Sequence, residues 1–229
     1  MRSGWPFGTV FKTMVKCRIE YITQKNPFKA SAEMHPVLMH QLVVDPYSGC
    51  SFGCQYCRCL KSEKIDYKDK AAKFYVGVKT DILFNLKKFV QANPSPVNVL
   101  LGASTDPYQP LEENHMITKI LIETLLPLKW PLVIFTKSDL ILRDIELLEE
   151  YNDNASLAVV VSFVSLEDDL CAEWEGNAVK PSKRLEIIEK LSIKNIACGA
   201  ALMPIIPYIN DDKKTLKDFF SNLKKAGSE

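Results

Sequence analysis

Apolar residues in this chain recur in two alternating rhythms, short continuous runs and longer stretches at helical spacing, and together they lay out a repeated strand–helix order. The first run, Val37 to Val44, predicts a strand that ends at Asp45-Pro46. Thr80 or Asp81 caps a helix whose face is Ile82, Leu86 and Phe89, flanked by Leu83 and Val90, and Asn93-Pro94 ends it. Val97 to Leu101 is the next strand, broken at Gly102, and a helical pattern from Leu111 to Leu126 leads to Trp130-Pro131. Leu132 to Phe135 is a third strand, and Ser138 or Asp139 then caps a helix with Ile141, Ile145 and Leu148 on one side. Leu157 to Val164 with a helix from Pro181 to Leu191, and Ile196 to Leu202 with a helix from Lys214 to Ala226, complete five units.

Five βα units in succession predict a parallel sheet covered by helices, either doubly wound or a partial barrel. Two regions fall outside the rhythm. Residues 1–36 read as an irregular lead-in, with Pro27 and Pro36 as breakers, ahead of a core domain over 37–229. Arg58 to Gly77, rich in lysine interleaved with Glu63, Asp66 and Asp69, reads as a solvated connection in preference to a substrate-contacting basic arm.

Composition adds bounds. With 229 residues and 47% hydrophobic content, the chain can bury a full core as one domain, or at most two. Its net charge of +1 produces no global field toward nucleic acid or a membrane. No apolar run reaches the ~18 residues of a membrane helix, and Met1 to Val15 lacks a signal-peptide pattern, so a cytoplasmic protein is expected.

The cysteines change the picture most. Four of seven lie between Cys50 and Cys59, a clustering and an odd count that favour a metal site in a reducing compartment over a disulfide framework. Cys198, inside an apolar run, reads as a buried small hydrophobe. Cys50, Cys54 and Cys57 are spaced C-x3-C-x2-C directly after the first strand. Thiolates are soft ligands suited to iron–sulfur clusters, zinc or copper(I). A zinc site would recruit Cys59 as a fourth thiolate, although Cys57-Arg58-Cys59 is tight spacing for one tetrahedral ion.

In parallel βα folds, ligand sites gather at the C-terminal ends of the strands. Those ends here carry the cysteine loop, Ser104-Thr105-Asp106, Thr136-Lys137-Ser138, Ser162 and Met203-Pro204. His35, His40 and His115 lie away from the cysteine spacing and read as surface or satisfied histidines.

Gly49-Cys50-Ser51-Phe52-Gly53-Cys54-Gln55-Tyr56-Cys57 resembles the C-x3-C-x-aromatic-C signature of the radical S-adenosylmethionine (radical SAM) superfamily. Thr105-Asp106-Pro107-Tyr108-Gln109-Pro110-Leu111-Glu112, Thr136-Lys137-Ser138 with Leu142-Arg143-Asp144, and Pro204-Ile205-Ile206-Pro207 resemble the branch related to spore photoproduct lyase. The resemblance implies a partial (β/α) barrel of the radical SAM type, an α/β fold with about five βα units.

It further implies that Cys50, Cys54 and Cys57 bind a [4Fe-4S] cluster and that S-adenosylmethionine occupies the remaining iron. Reductive cleavage would then yield a 5′-deoxyadenosyl radical that abstracts hydrogen from a substrate. Ser104, Thr105 and Asp106 are the implied contacts to the methionine amino group, Lys137 to its carboxylate and Ser162 to the ribose. Arg184 is implied to reach a carboxylate or hydroxyl, and Tyr56 to lie near the adenine.

A one-electron reductant such as a ferredoxin or flavodoxin is the implied partner. The substrate, nucleic acid among the classes, is not specified. Where the spore photoproduct enzyme places a hydrogen-donating cysteine, this chain has Ser104-Thr105. Superfamily cores have six βα units, so with five the barrel is expected to be truncated or completed by a partner. The competing expectation is a non-catalytic zinc or iron–sulfur module that contacts nucleic acid or protein, and a third is a remnant that keeps the loop without activity.

Overall fold

The computed structural model describes residues 17–24, 28–30, 41–57 and 74–228. Its centre is a six-stranded sheet built from β2 (Phe28–Ala30), β3 (Leu42–Val44), β6 (Val99–Leu101), β7 (Leu132–Thr136), β8 (Leu157–Phe163) and β9 (Ala197–Leu202), in that spatial order. β3, β6, β7, β8 and β9 run parallel, and β2 joins antiparallel at the β3 edge. Because the parallel strands are ordered as in the sequence, every crossover steps the same way and, being right-handed, puts its helix on the same side. A doubly wound sheet would reverse direction. The fold is therefore an open part of a βα barrel, as expected.

Strand alternation separates the two faces. Leu157, Val159, Val161 and Phe163 of β8 are buried, whereas Ala158, Val160 and Ser162 between them are half-buried. The buried set packs against Leu121, Ile122, Leu148, Ile187, Ile188, Leu191, Phe219 and Leu223 in one continuous core. These come from helices α3 (Ile117–Leu125), α4 (Ile145–Asn154), α6 (Pro181–Ile193) and α7 (Lys213–Lys225). The opposite, concave face ends in small residues, with Ser162 paired in register to Ala201 of β9.

Boundaries follow local chemistry. Asp81 and Asn93 bracket α1 (Ile82–Ala92) as predicted. The expected helix from Leu111 is two, α2 (Glu112–His115) and α3, because Met116 adopts a left-handed φ of 52°. Ser138 caps as expected, accepting from the Leu140 amide, but its first turn over Asp139–Asp144 is a 3-10 helix that continues into α4. α5 (Asp168–Trp174), after β8, is an element that the periodicity did not reveal.

The structure also corrects the two regions read as irregular. β1 (Cys17–Ile22) and β2 lie in the expected lead-in, and β5 (Phe74–Lys79) in the expected solvated connection. β5 pairs parallel with β1 and antiparallel with β4 (Tyr47–Ser48), forming a second sheet of three strands. Tyr47, Val76 and Val78 bury one face of it against Leu111 and Ile117. The β5 run Phe74-Tyr75-Val76-Gly77-Val78 is β-prone; the lysines before it masked that signal. The strand expected over Val37–Val44 runs over Leu42–Val44, Gln41 before it being a bend; residues 31–40, His35 and His40 among them, lie outside the described residues, as do 58–73 with Cys59. Among the described residues no helix is long and apolar enough to cross a membrane.

Candidate metal and cofactor centre

The cysteine loop leaves β3 at Asp45, forms β4 and turns back over the C-terminal end of the sheet. Gly49 and Gly53 have φ of 78° and 71°, which lets the chain turn sharply on either side of Cys50. The Cys57 amide donates to the Cys54 carbonyl at 3.0 Å, closing the turn that brings the second and third cysteines together. Cys54 is buried, and Cys50 and Cys57 are half-buried.

Three protein surfaces hold this loop. Gln109, fully buried, accepts from the Ser51 amide at 2.9 Å and donates to the Gly49 carbonyl at 3.2 Å, replacing on both sides hydrogen bonds that a loop would otherwise take from water. From the other side, the Asn177 amide donates to Phe52 O at 2.9 Å, Asn177 Nδ2 to Ser51 O at 3.1 Å, and the Gln55 amide to Trp174 O at 2.8 Å. Behind it, the Tyr47 hydroxyl donates to the buried Glu112 carboxylate at 2.5 Å, and Arg143 joins Glu112 to Asp144. Arg143-Asp144 is thus part of a largely buried network rather than a surface pair.

Gly176 makes the second of these surfaces possible. Its φ is 55°, and a Cβ there would lie 2.6 Å from the Phe52 carbonyl oxygen. Gly176→Ala is expected to cost about 1–3 kcal/mol in backbone strain and to push the cysteine loop away from Asn177. Thermal denaturation will read the first effect, and iron uptake relative to the unchanged protein the second; unchanged uptake would mean that the loop does not depend on this contact.

Around the loop the residues picked out by sequence fall into three groups. The backbone amide of Ser104 donates to Asp45 Oδ1 at 3.1 Å, and the Thr105 hydroxyl reaches the Tyr47 carbonyl at 3.5 Å, so both brace the base of the loop. Asp106 accepts from the Thr136 hydroxyl at 2.7 Å, the Lys137 amide at 2.8 Å and the Tyr108 amide at 2.9 Å, which ties the end of β6 to the end of β7. Burial nevertheless holds its carboxyl above the usual range against those bonds. Ser162 lies on the concave face at the end of β8.

Tyr56, Lys137 and Arg184 meet on a residue that sequence reading missed, Glu175. Lys137 Nζ lies 2.7 Å from Glu175 Oε1, 2.9 Å from the Tyr56 hydroxyl and 3.6 Å from Cys54 Sγ. Tyr56 donates to Glu175 Oε1, and Arg184 donates to Oε2. The Arg184 side chain is fully buried, with Nε on Val179 O at 2.8 Å and an Nη on Ser162 O at 3.0 Å. Its guanidinium therefore faces protein acceptors, as neither a surface charge nor an open ligand arm would. The two cations hold the Glu175 carboxyl below its ordinary range despite burial. In sequence, Glu175-Gly176-Asn177 reads as a turn, and nothing local marks its carboxylate as buried. His115 is satisfied, through Leu111 O at 2.8 Å and the Tyr21 hydroxyl at 3.3 Å.

The donor set fits an iron–sulfur cluster: three free thiols from one braced loop. Burial pushes the Cys50 thiol well above its usual range, aided by the Asp106 charge; it also raises Cys54, against the pull of Lys137. Binding to a metal cation reverses that preference, because a coordinating thiol gives up its proton. Among the described residues, no three His, Cys, Asp or Glu side chains converge as a ready site for a single ion.

The chain is 29% identical over 196 residues to Uncharacterized protein Rv2578c of Mycobacterium tuberculosis, covering 83% of this chain and 57% of that protein. It is 26% identical over 198 residues to Uncharacterized protein MJ0683 of Methanocaldococcus jannaschii, covering 80% and 71%. Its fold is similar to that of spore photoproduct lyase complexed with dinucleoside spore photoproduct, at a TM-score of 0.65 and 16% identity over 99% of this chain and 63% of that one. Streptococcus suis SuiB bound to S-adenosylmethionine superposes at 0.57 with 14% identity, over 82% and 38%. The chain thus spans a little over half of the mycobacterial relative and under two thirds of the lyase. The Radical SAM superfamily model matches residues 44–220, from the end of β3 into α7, and with the braced three-cysteine loop inside that span the chain belongs to the radical SAM superfamily.

Proposed function

We propose that this chain is an enzyme that binds a [4Fe-4S] cluster through Cys50, Cys54 and Cys57 and cleaves S-adenosylmethionine reductively to start hydrogen abstraction from a substrate. The observation that carries this reading is the placement of the cysteine loop. It is fixed from three sides at the C-terminal end of an open parallel sheet whose concave face is lined by small and half-buried side chains. When bound, the cluster and S-adenosylmethionine supply the electron transfer and the carbon-centred radical; the protein orients them and limits water.

The chain's own residues divide that work. Gln109 and Asn177 fix the loop so that its sulfurs keep one arrangement, which lowers the ordering cost of metal binding. The strand ends carrying Ser104, Thr105, Asp106 and Ser162 offer polar groups to the amino acid and ribose parts of S-adenosylmethionine, and Lys137 adds a positive charge beside them. Arg184 acts through Glu175 as a positioning residue. A ferredoxin- or flavodoxin-type reductant supplies the electron. The core over 37–229 works together with β1 and β2 of the preceding 1–36, which pair into its two sheets, and a partner covers the open edge at β9. Of the structural neighbours, spore photoproduct lyase is complexed with a dinucleoside photoproduct and SuiB has also been seen with a precursor peptide.

The test is anaerobic reconstitution with iron and sulfide, followed by dithionite and S-adenosylmethionine. A brown species with equal iron and sulfide and the release of 5′-deoxyadenosine are expected. One zinc without sulfide would instead establish a structural metal module, and a loaded cluster without 5′-deoxyadenosine a binding remnant.

A further inference from the structure

We propose that Lys137 acts on the second cysteine of the loop: its ammonium, locked in place by Glu175, donates an N–H···S hydrogen bond to Cys54 and raises the reduction potential of the cluster held there. The inference rests on the cluster assignment made above, and it makes Glu175 and Arg184 positioning residues for the electron-accepting centre.

The geometry carries it. A lysine ammonium has three hydrogens and no acceptor, and Lys137 has three acceptors in place: Glu175 Oε1 at 2.7 Å, the Tyr56 hydroxyl at 2.9 Å and Cys54 Sγ at 3.6 Å, within reach for a sulfur acceptor. All three donors are thereby accounted for, so an arriving carboxylate would have to displace one of these partners to become the lysine's main ligand. The side chain is only 12% exposed, so water screens the charge weakly.

A lysine on a flexible four-carbon stem does not hold such a position unaided. Here the anchor is Glu175, 1% exposed, whose second oxygen is held by the fully buried Arg184. Arg184 in turn grips the main chain at Val179 and at Ser162, the end of β8. The ammonium is thus referenced to the sheet itself. Hydrogen bonds to ligand sulfurs and nearby positive charge both favour the more negative, reduced form of an iron–sulfur cluster. The step affected is the one-electron reduction of the cluster by the external ferredoxin- or flavodoxin-type donor, in which no bond forms or breaks.

The experiment uses the full chain, reconstituted with iron and sulfide and without S-adenosylmethionine. Iron and sulfide content are measured, and the midpoint is read by a dithionite titration followed by electron paramagnetic resonance. Lys137→Met is expected to load fully, and at the midpoint poise of the unchanged protein its ratio of reduced to oxidised cluster should fall at least tenfold, equivalent to about 59 mV for one electron. Lys137→Arg, which keeps the charge and donors, should recover most of that ratio, as a merely structural role would not require. Full loading of Lys137→Met at an unchanged midpoint overturns the inference and leaves the proposed function standing. Absence of any cluster in the unchanged chain overturns both. If Lys137→Met does not load, loading restored in Lys137→Arg supports the role at Cys54, and loading absent from both variants overturns it.

Discussion

Cys54→Ala is expected to abolish cluster loading and 5′-deoxyadenosine formation while leaving the fold in place. One sulfur makes two separable contributions. Cys54 is 7% exposed, so truncation removes a small buried group, and a cost of about 1 kcal/mol is in keeping with other modest core deletions. The turn around it does not depend on the thiol, because the Cys57 amide bonds to the Cys54 backbone carbonyl, which alanine retains. The Gln109 and Asn177 braces also contact the loop through its backbone at Gly49, Ser51 and Phe52. A ligand is lost while the frame survives. Circular dichroism and the apo melting midpoint should therefore stay near those of the unchanged protein as iron and sulfide uptake drop to background. Cys198→Ala is the matched control: its thiol, 3% exposed, donates to Ile188 O at 3.5 Å far along the chain, and loading should be unaffected. Equal loading in the two variants would remove Cys54 from the ligand set.

The parallel core was legible because each of its strands is a short apolar run and several of its helices have a capping-type residue or proline at their start, signals that are local and periodic. Asp81, Ser138 and Pro181 all open elements where expected. β1 escaped because its stability is borrowed: it meets β5 across more than fifty intervening residues, and no local rhythm encodes a partner so distant. The same contrast runs through the site. Cys50, Cys54 and Cys57 announce themselves by spacing, and Lys137 by its place at the end of a strand. Glu175 has no such mark, since its significance arises only when α5 and the following turn fold back over the cysteine loop and bring it between Lys137 and Arg184. Arg184 is legible in sequence as a helix-start cation, but its charge is turned inward, to a carboxylate nine residues earlier.

Glu175→Gln is expected to destabilise the protein by about 3–5 kcal/mol, the range for removing one partner of a buried ion pair. Glu175 and Arg184 are 1% and 0% exposed and Lys137 12%, so water cannot replace the missing charge at the first two and does so poorly at the third. Glutamine has nearly the same shape but a single oxygen acceptor, and its amide nitrogen would face one of the two cations with hydrogens against hydrogens. A urea unfolding series should show a lower midpoint at an unchanged slope. Adding Arg184→Met to Glu175→Gln removes a cation together with its counter-charge and should recover part of the loss, a coupling that a double-mutant cycle measures. The pH dependence has a definite sign. Because the folded-state pKa of Glu175 is depressed below its unfolded value of about 4.3, its ionised form contributes stability above that value, and the contribution is lost as the pH falls through the folded-state pKa. The gap between the unchanged protein and Glu175→Gln should therefore be widest near neutrality and narrow in acid. A Glu175→Gln variant within about 0.5 kcal/mol of the unchanged protein at pH 7, as for an ordinary surface substitution, would show that the carboxylate does not hold the two cations together.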